Sequence, residues 1–99
     1  MNYKVRYTAS ARKDLARLFA FVAARDLGAA RKARSAITEA VSMLERFPYS
    51  CRTAGNGDPF LRELVVPFGH AGFVVLYRID AANWVNILAA RHQREEDYF

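Results

Sequence analysis

Cysteine is nearly missing from this sequence, with Cys51 alone among 99 residues. No second thiol exists for an intramolecular disulfide or a cysteine-rich zinc cluster, and a reducing, cytoplasmic address is the expectation. Histidine is scarce too. His70 and His92 stand far apart with neither HxxH nor HExxH spacing, so no metal site is expected. No stretch approaches the roughly eighteen consecutive apolar residues of a membrane span. Met1-Asn2-Tyr3-Lys4-Val5-Arg6 lacks the apolar run of a secretory leader. Glycines number five, and the only dense group, Ala54-Gly55-Asn56-Gly57-Asp58, carries neither the Lys-Ser/Thr of a phosphate loop nor a dinucleotide fingerprint. Cys51 has no nucleophile-elbow context, which leaves it a tolerated free thiol.

What is present is apolar bulk. At 53% apolar and 13% aromatic, the chain can fill one core and not two, so residues 1–99 are read as a single domain. Positive charge is concentrated at one end. Residues 1–52 carry eleven basic and four acidic side chains, residues 53–99 four and six, and twelve of the fifteen cations are arginine. Arginine pairs bidentately with phosphate and carboxylate. Two readings stay open, a solvated basic face or a surface for a polyanion, nucleic acid or acidic protein segment.

Tyr3, Val5 and Tyr7 alternate with Lys4 and Arg6, the period-two signature of a half-buried strand. Thr8 or Ser10 can cap a helix whose stripe is Ala11, Leu15, Leu18, Phe19 and Val22 and which runs to about Arg25. Asp26-Leu27-Gly28 breaks it, and Ala30, Ala33, Ile37, Val41 and Leu44 mark a second helix ended by Pro48. Tyr49 to Pro59 reads as a loop. Leu61 to Val66, Phe73 to Ile79 and Trp84 to Ala89 then form an antiparallel meander. The middle run is apolar on both sides and belongs at the sheet's centre. The fold class is α+β in the order β-α-α-β-β-β, a helical hairpin on one face of a four-stranded, mainly antiparallel sheet. The other sheet face is then solvated or kept for a ligand.

The polar residues set among the late strands are Arg62, Arg78, Arg91, His92 and Arg94, with Tyr98 in the tail. Their chemistry suits RNA: metal-free cleavage needs a base for the 2′-hydroxyl, cations for the phosphate and an acid for the leaving oxygen. His92 could serve as base or acid, the arginines as clamp, and Tyr98 as stacking group or proton donor. The plainer alternatives are a hydrogen-bonded strand-end histidine and a structural ion pair at Arg62-Glu63.

Several short segments, in order and over Tyr3 to Tyr98, resemble the RelE/ParE superfamily of bacterial type II toxin–antitoxin toxins, also called plasmid stabilisation proteins. They are Ala11-Arg12-Lys13-Asp14-Leu15, Leu44-Glu45-Arg46-Phe47-Pro48, Leu61-Arg62-Glu63-Leu64, Tyr77-Arg78-Ile79, and Ile87-Leu88-Ala89-Ala90-Arg91-His92-Gln93-Arg94. The resemblance implies a toxin neutralised by a cognate antitoxin, with Arg17, Arg31 and Arg34 as candidates for binding that partner, and no cofactor. It implies one of two activities. ParE-like members inhibit DNA gyrase and are not enzymes in that role; RelE-like members are ribosome-dependent mRNA endonucleases, or mRNA interferases. The nuclease branch would use Arg62, His92 and Tyr98 catalytically and Arg78, Arg91 and Arg94 on the RNA. The Phe47-Pro48 helix end and the lack of a lysine-rich loop, residues 49–60 offering only Arg52, bring the chain closer to ParE. A non-toxic antitoxin-binding member is the third possibility.

Overall fold

The computed structural model describes residues 2–95. The elements are β1 (Lys4–Tyr7), α1 (Ala9–Ala23), α2 (Leu27–Ser42), a 3-10 turn (Met43–Glu45), β2 (Arg52–Thr53), β3 (Leu61–Phe68), β4 (Ala71–Ile79) and β5 (Trp84–His92). The sheet order is β1-β5-β4-β3-β2, with β1 parallel to β5 and the other pairs antiparallel. The α+β hairpin-on-sheet architecture is the expected one. One strand is new: Arg52–Thr53, inside the segment read as a loop, pairs with Arg62 and Glu63 to give the sheet a short fifth member.

Capping explains where the helices start. The Thr8 hydroxyl accepts from the Ala11 N–H at 3.2 Å and donates to the Ile87 carbonyl at 2.8 Å, so the α1 cap is tied to β5. Asp26 caps α2 by accepting from the Ala29 N–H at 3.1 Å. Because Asp26 must leave helical geometry to do so, α1 stops at Ala23, two residues short of the sequence reading.

α1 packs on β5 and α2 on β3. Ala11, Leu18, Ala33, Ile37, Val41 and Leu44 meet Val66, Phe73, Val75, Tyr77, Ile79, Val85, Ile87 and Ala90 in one continuous core. β4 is central, as its two-sided apolar pattern required. Tyr77 is fully buried and donates its hydroxyl to the Pro48 carbonyl at 2.5 Å, fixing the chain beyond the 3-10 turn. Burial, more than any charge nearby, pushes that phenol far above its ordinary range.

β3 runs through Pro67, where the sequence reading placed a break. Gly72, opposite Pro67, turns its carbonyl toward Gln93 on the β5 side. The proline nitrogen therefore faces the outer edge, beyond the reach of the two-residue β2, and no ladder bond is lost. Gly69 has φ 62 and sits first in a two-residue turn, as a II′ hairpin requires. Gly72 is obligatory for a different reason, since a Cβ there would lie 2.2 Å from the Val66 carbonyl oxygen.

β5 also continues past Ala89 to His92, with Leu88 bulged between the pairs Leu76–Ala89 and Tyr77–Ile87. Just beyond the bulge, Asp14 of α1 accepts from the buried Ala90 N–H at 3.0 Å. The strand extension sends neighbours Arg91 and His92 to opposite sheet faces.

Candidate functional site

His92 lies on the helix-covered face, opposite Phe73 in the register, with its ring edge-on to that phenylalanine at 6.1 Å. Its Nδ1 accepts from the Arg94 N–H at 3.1 Å and its backbone N–H donates to Glu95 at 2.9 Å. Neutral His92 therefore carries its proton on Nε2. The tight turn formed by these bonds places Arg94 and Glu95 against α1, where Arg17 pairs with Glu95 at 3.4 Å. Between them opens a groove of about 700 Å³ lined by Arg17, Leu18, Phe21, Val22, Arg25, Phe73, His92, Arg94 and Glu95. Phe21 is 64% exposed, and the Arg25 guanidinium lies over its ring at 4.9 Å.

Other predicted residues lie elsewhere. Arg62 is at the far end of the sheet, opposite Tyr77 in the register. From there to the Phe73–His92 row is four residues along β4, roughly 13 Å. Its guanidinium donates to the carbonyls of Pro59 (2.9 Å), Tyr49 (2.9 Å) and Cys51 (2.7 Å), and lies over the Tyr49 ring. Arg62 thus pins the 49–59 segment against β3. Arg78 projects from the opposite face and pairs with Asp58 at 3.2 Å beside Phe60. The Phe60 N–H, and after it the Arg78 charge, hold the Asp58 carboxyl below its usual range.

Arg91 is half-buried on that same uncovered face. It reaches Glu63 at 3.9 Å and donates to the Glu95 carbonyl, stapling the C-terminal turn. A guanidinium–carboxylate pair therefore crosses the sheet face that the strand pattern left apolar, and Val74 and Ala89 are buried there. Arg6 and Asn86 meet Asp80 at the sheet's other corner. Asp80 also accepts from the Trp84 N–H at 3.0 Å, the principal cause of its lowered pKa.

On the hairpin, Arg34 shares a cleft of about 360 Å³ with Tyr7, Arg12, Leu15, Phe19 and Ile37. Arg31 is exposed on α2. None of Arg12, Lys13, Arg31, Lys32 and Arg34 forms an ion pair among the described residues, whereas Arg6, Arg52, Arg78 and Arg91 on the strands all do. Tyr98 lies outside the described residues. Among those described, no group of three or more His, Cys, Asp or Glu side chains is placed to hold a metal ion.

The structure thus brings His92, Arg94 and Arg17 together and keeps Arg62 and Arg78 apart from them, while Arg91 reaches the same C-terminal turn from the opposite sheet face, through backbone carbonyls. Sequence reasoning passed over Phe21 and Arg25, although their spacing of four places an aromatic ring and a guanidinium on one helix face.

Comparison with known proteins agrees with this arrangement. Residues 5–97 match the family model described as the ParE toxin of the type II toxin-antitoxin system parDE. The chain is 30% identical over 79 residues to Toxin RelE1 of Caulobacter vibrioides, covering 80% of this chain and 82% of that protein. In a solved structure of the chromosomal ParDE system from P. aeruginosa, a chain 21% identical superposes with TM-score 0.69, covering 91% of this chain and 95% of its own. In the Mycobacterium tuberculosis RelBE2 toxin-antitoxin complex, one 26% identical superposes with TM-score 0.60, covering 93% and 99%. With nearly its whole length matched and the fold shared, the chain belongs to the ParE toxin family of type II toxin–antitoxin systems.

Proposed function

We propose that this toxin acts in the cytoplasm by binding and inhibiting DNA gyrase, and that a cognate antitoxin holds it inactive. One observation favours this over RNA cleavage: Arg62 and His92, the two strand residues a nuclease would need together, sit in different rows of the sheet. Arg62 is already spent on three backbone carbonyls. General acid–base work needs the proton-transfer group within about 3 Å of its target and the phosphate clamp beside it. Binding asks only for a surface.

The antitoxin assignment draws on the hairpin. Among the described residues Arg12, Lys13, Arg31, Lys32 and Arg34 form no ion pair, whereas Arg17 pairs with Glu95, and Arg34 and Arg12 flank a cleft with Leu15, Phe19 and Ile37 at its floor. An acidic amphipathic segment offers both matching charges and anchoring side chains. Arg17, Arg31 and Arg34 are the proposed contacts. No helix among the described residues is long and apolar enough to cross a membrane.

The test is induced expression followed by plasmid topology analysis and mapping of mRNA 5′ ends. Relaxed plasmid with intact transcripts is expected. Codon-phased mRNA breaks with normal supercoiling would assign the chain to the nuclease branch instead.

A further inference from the structure

We infer that this chain pairs with a second copy of itself through the aromatic end of the molecule, around Phe47, Tyr49 and Phe60. The pairing goes beyond the gyrase and antitoxin reading and does not depend on it.

Exposed apolar bulk is concentrated there. Of the six large hydrophobic side chains exposed among the described residues, Met43, Phe47, Tyr49 and Phe60 lie between the 3-10 turn and β3, and Phe21 and Leu27 on the hairpin. The four belong to a joined surface. Phe47 follows Met43 by one turn, its N–H bonded to the Met43 carbonyl. Tyr49, two residues on, meets Tyr3 and Phe60 edge-on at 6.4 and 6.5 Å. With Arg78 and Asp80, Tyr49 and Phe60 wall a hollow of about 370 Å³, room for an aromatic ring from a facing molecule. An apolar patch of this kind, rimmed by polar groups, marks a protein contact, and aromatic residues, Met and Arg are the types such contacts favour.

Charge selects the occupant. The rim carries both signs in balance, Arg78 with Asp58 at 3.2 Å and Arg6 with Asp80 at 3.5 Å. A chain of net charge +5 repels its own copies through any face of one sign, such as the hairpin with its open cations. A two-fold axis sets each patch against the same patch, so the surface must complement itself. Arginine and aspartate side by side around an apolar centre meet that requirement, Arg78 of one copy facing an acid of the other. An acidic partner is better served by the hairpin. The aromatic hollow shares no residue with the Arg12–Arg34 cleft, so self-pairing and antitoxin binding use different surfaces.

Purified toxin would be weighed by sedimentation equilibrium over a wide concentration range, in reducing buffer so that Cys51 cannot link copies. A mass rising from one chain to two is expected. It should persist at high salt, which screens charge attraction but leaves apolar burial intact. Phe47→Ala and Phe60→Ala should each raise the dimer dissociation constant about tenfold. Phe21→Ala, exposed on α1, should leave it unchanged. Circular dichroism on each variant checks the fold. Hydrogen exchange should show protection that grows with concentration in residues 47–60 and 78–83, and none along α1. A chain that stays monomeric at every concentration overturns the inference. So does a dimer that dissolves at high salt, the mark of bridging by a polyanion, or one protected along α1 instead. A monomer whose Phe60→Ala variant binds gyrase more weakly would give the patch to the target protein, and overturns it as well.

Discussion

Asp14 offers a sharp test of how the hairpin is held on the sheet. Its side chain is 9% exposed, yet no cation pairs with it among the described residues; its Oδ2 accepts from the Ala90 N–H at 3.0 Å. Ala90 is itself 1% exposed. Asp14→Ala removes a hydrogen bond to a charged acceptor and strands a buried amide donor, each effect worth about 1–3 kcal/mol and overlapping with the other. The expected loss is about 2–3 kcal/mol, a large share of the stability of a domain this size. For a domain of about 100 residues that lowers Tm by roughly 10–20 °C. Asp14→Asn keeps an acceptor oxygen and should recover about half of the loss. Urea unfolding measures the total, and hydrogen exchange at the Ala90 amide reports the local effect. If Asp14→Ala stays within about 0.5 kcal/mol of the parent, or the Ala90 amide keeps its protection, the carboxylate is not what joins α1 to β5.

Arg62→Ala should cost about 1–3 kcal/mol and speed proteolysis within residues 49–59, because three carbonyls lose their donor. Arg62→Lys should not rescue it, lacking the planar fork. A variant that remains as protease-resistant as the parent but loses toxicity would instead point to a direct role in the activity. Gly72→Ala should destabilise by about 1–3 kcal/mol in thermal unfolding, since its Cβ meets backbone, which cannot swing aside. Retention of the parent Tm would show that the β3–β4 pairing is looser than described. The folded chain holds the Asp80 carboxyl below its ordinary value, so the unfolded chain binds more protons there. Its contribution is present above about pH 4 and is lost as pH falls through the lower, folded-state pKa. Asp80→Asn should flatten the acid limb of a stability–pH profile, and an unchanged limb would refute that linkage.

Much of the fold was legible because periodicity reports faces. Tyr3, Val5 and Tyr7 marked β1, and the two-sided apolar run of Phe73 to Ile79 marked the central strand. What escaped depended on long-range pairing. Arg52–Thr53 has no strand pattern of its own and is extended only because Arg62 and Glu63 lie beside it. Pro67 looked like a break, since nothing local says that its nitrogen faces an open edge. The site was half legible for the same reason. His92, Arg94 and Arg17 converge as a group, but Arg62 could not be separated from them until β3–β4 register put it opposite Tyr77. Reading β5 as ending at Ala89 also hid the alternation that parts Arg91 from His92.

The most direct test of the central claim is a supercoiling assay with purified gyrase, relaxed plasmid and purified toxin, with and without its antitoxin. Dose-dependent loss of supercoiling, reversed by stoichiometric antitoxin, is the predicted result. Full gyrase activity at toxin excess, with ribosome-bound mRNA cut in a parallel reaction, would contradict it.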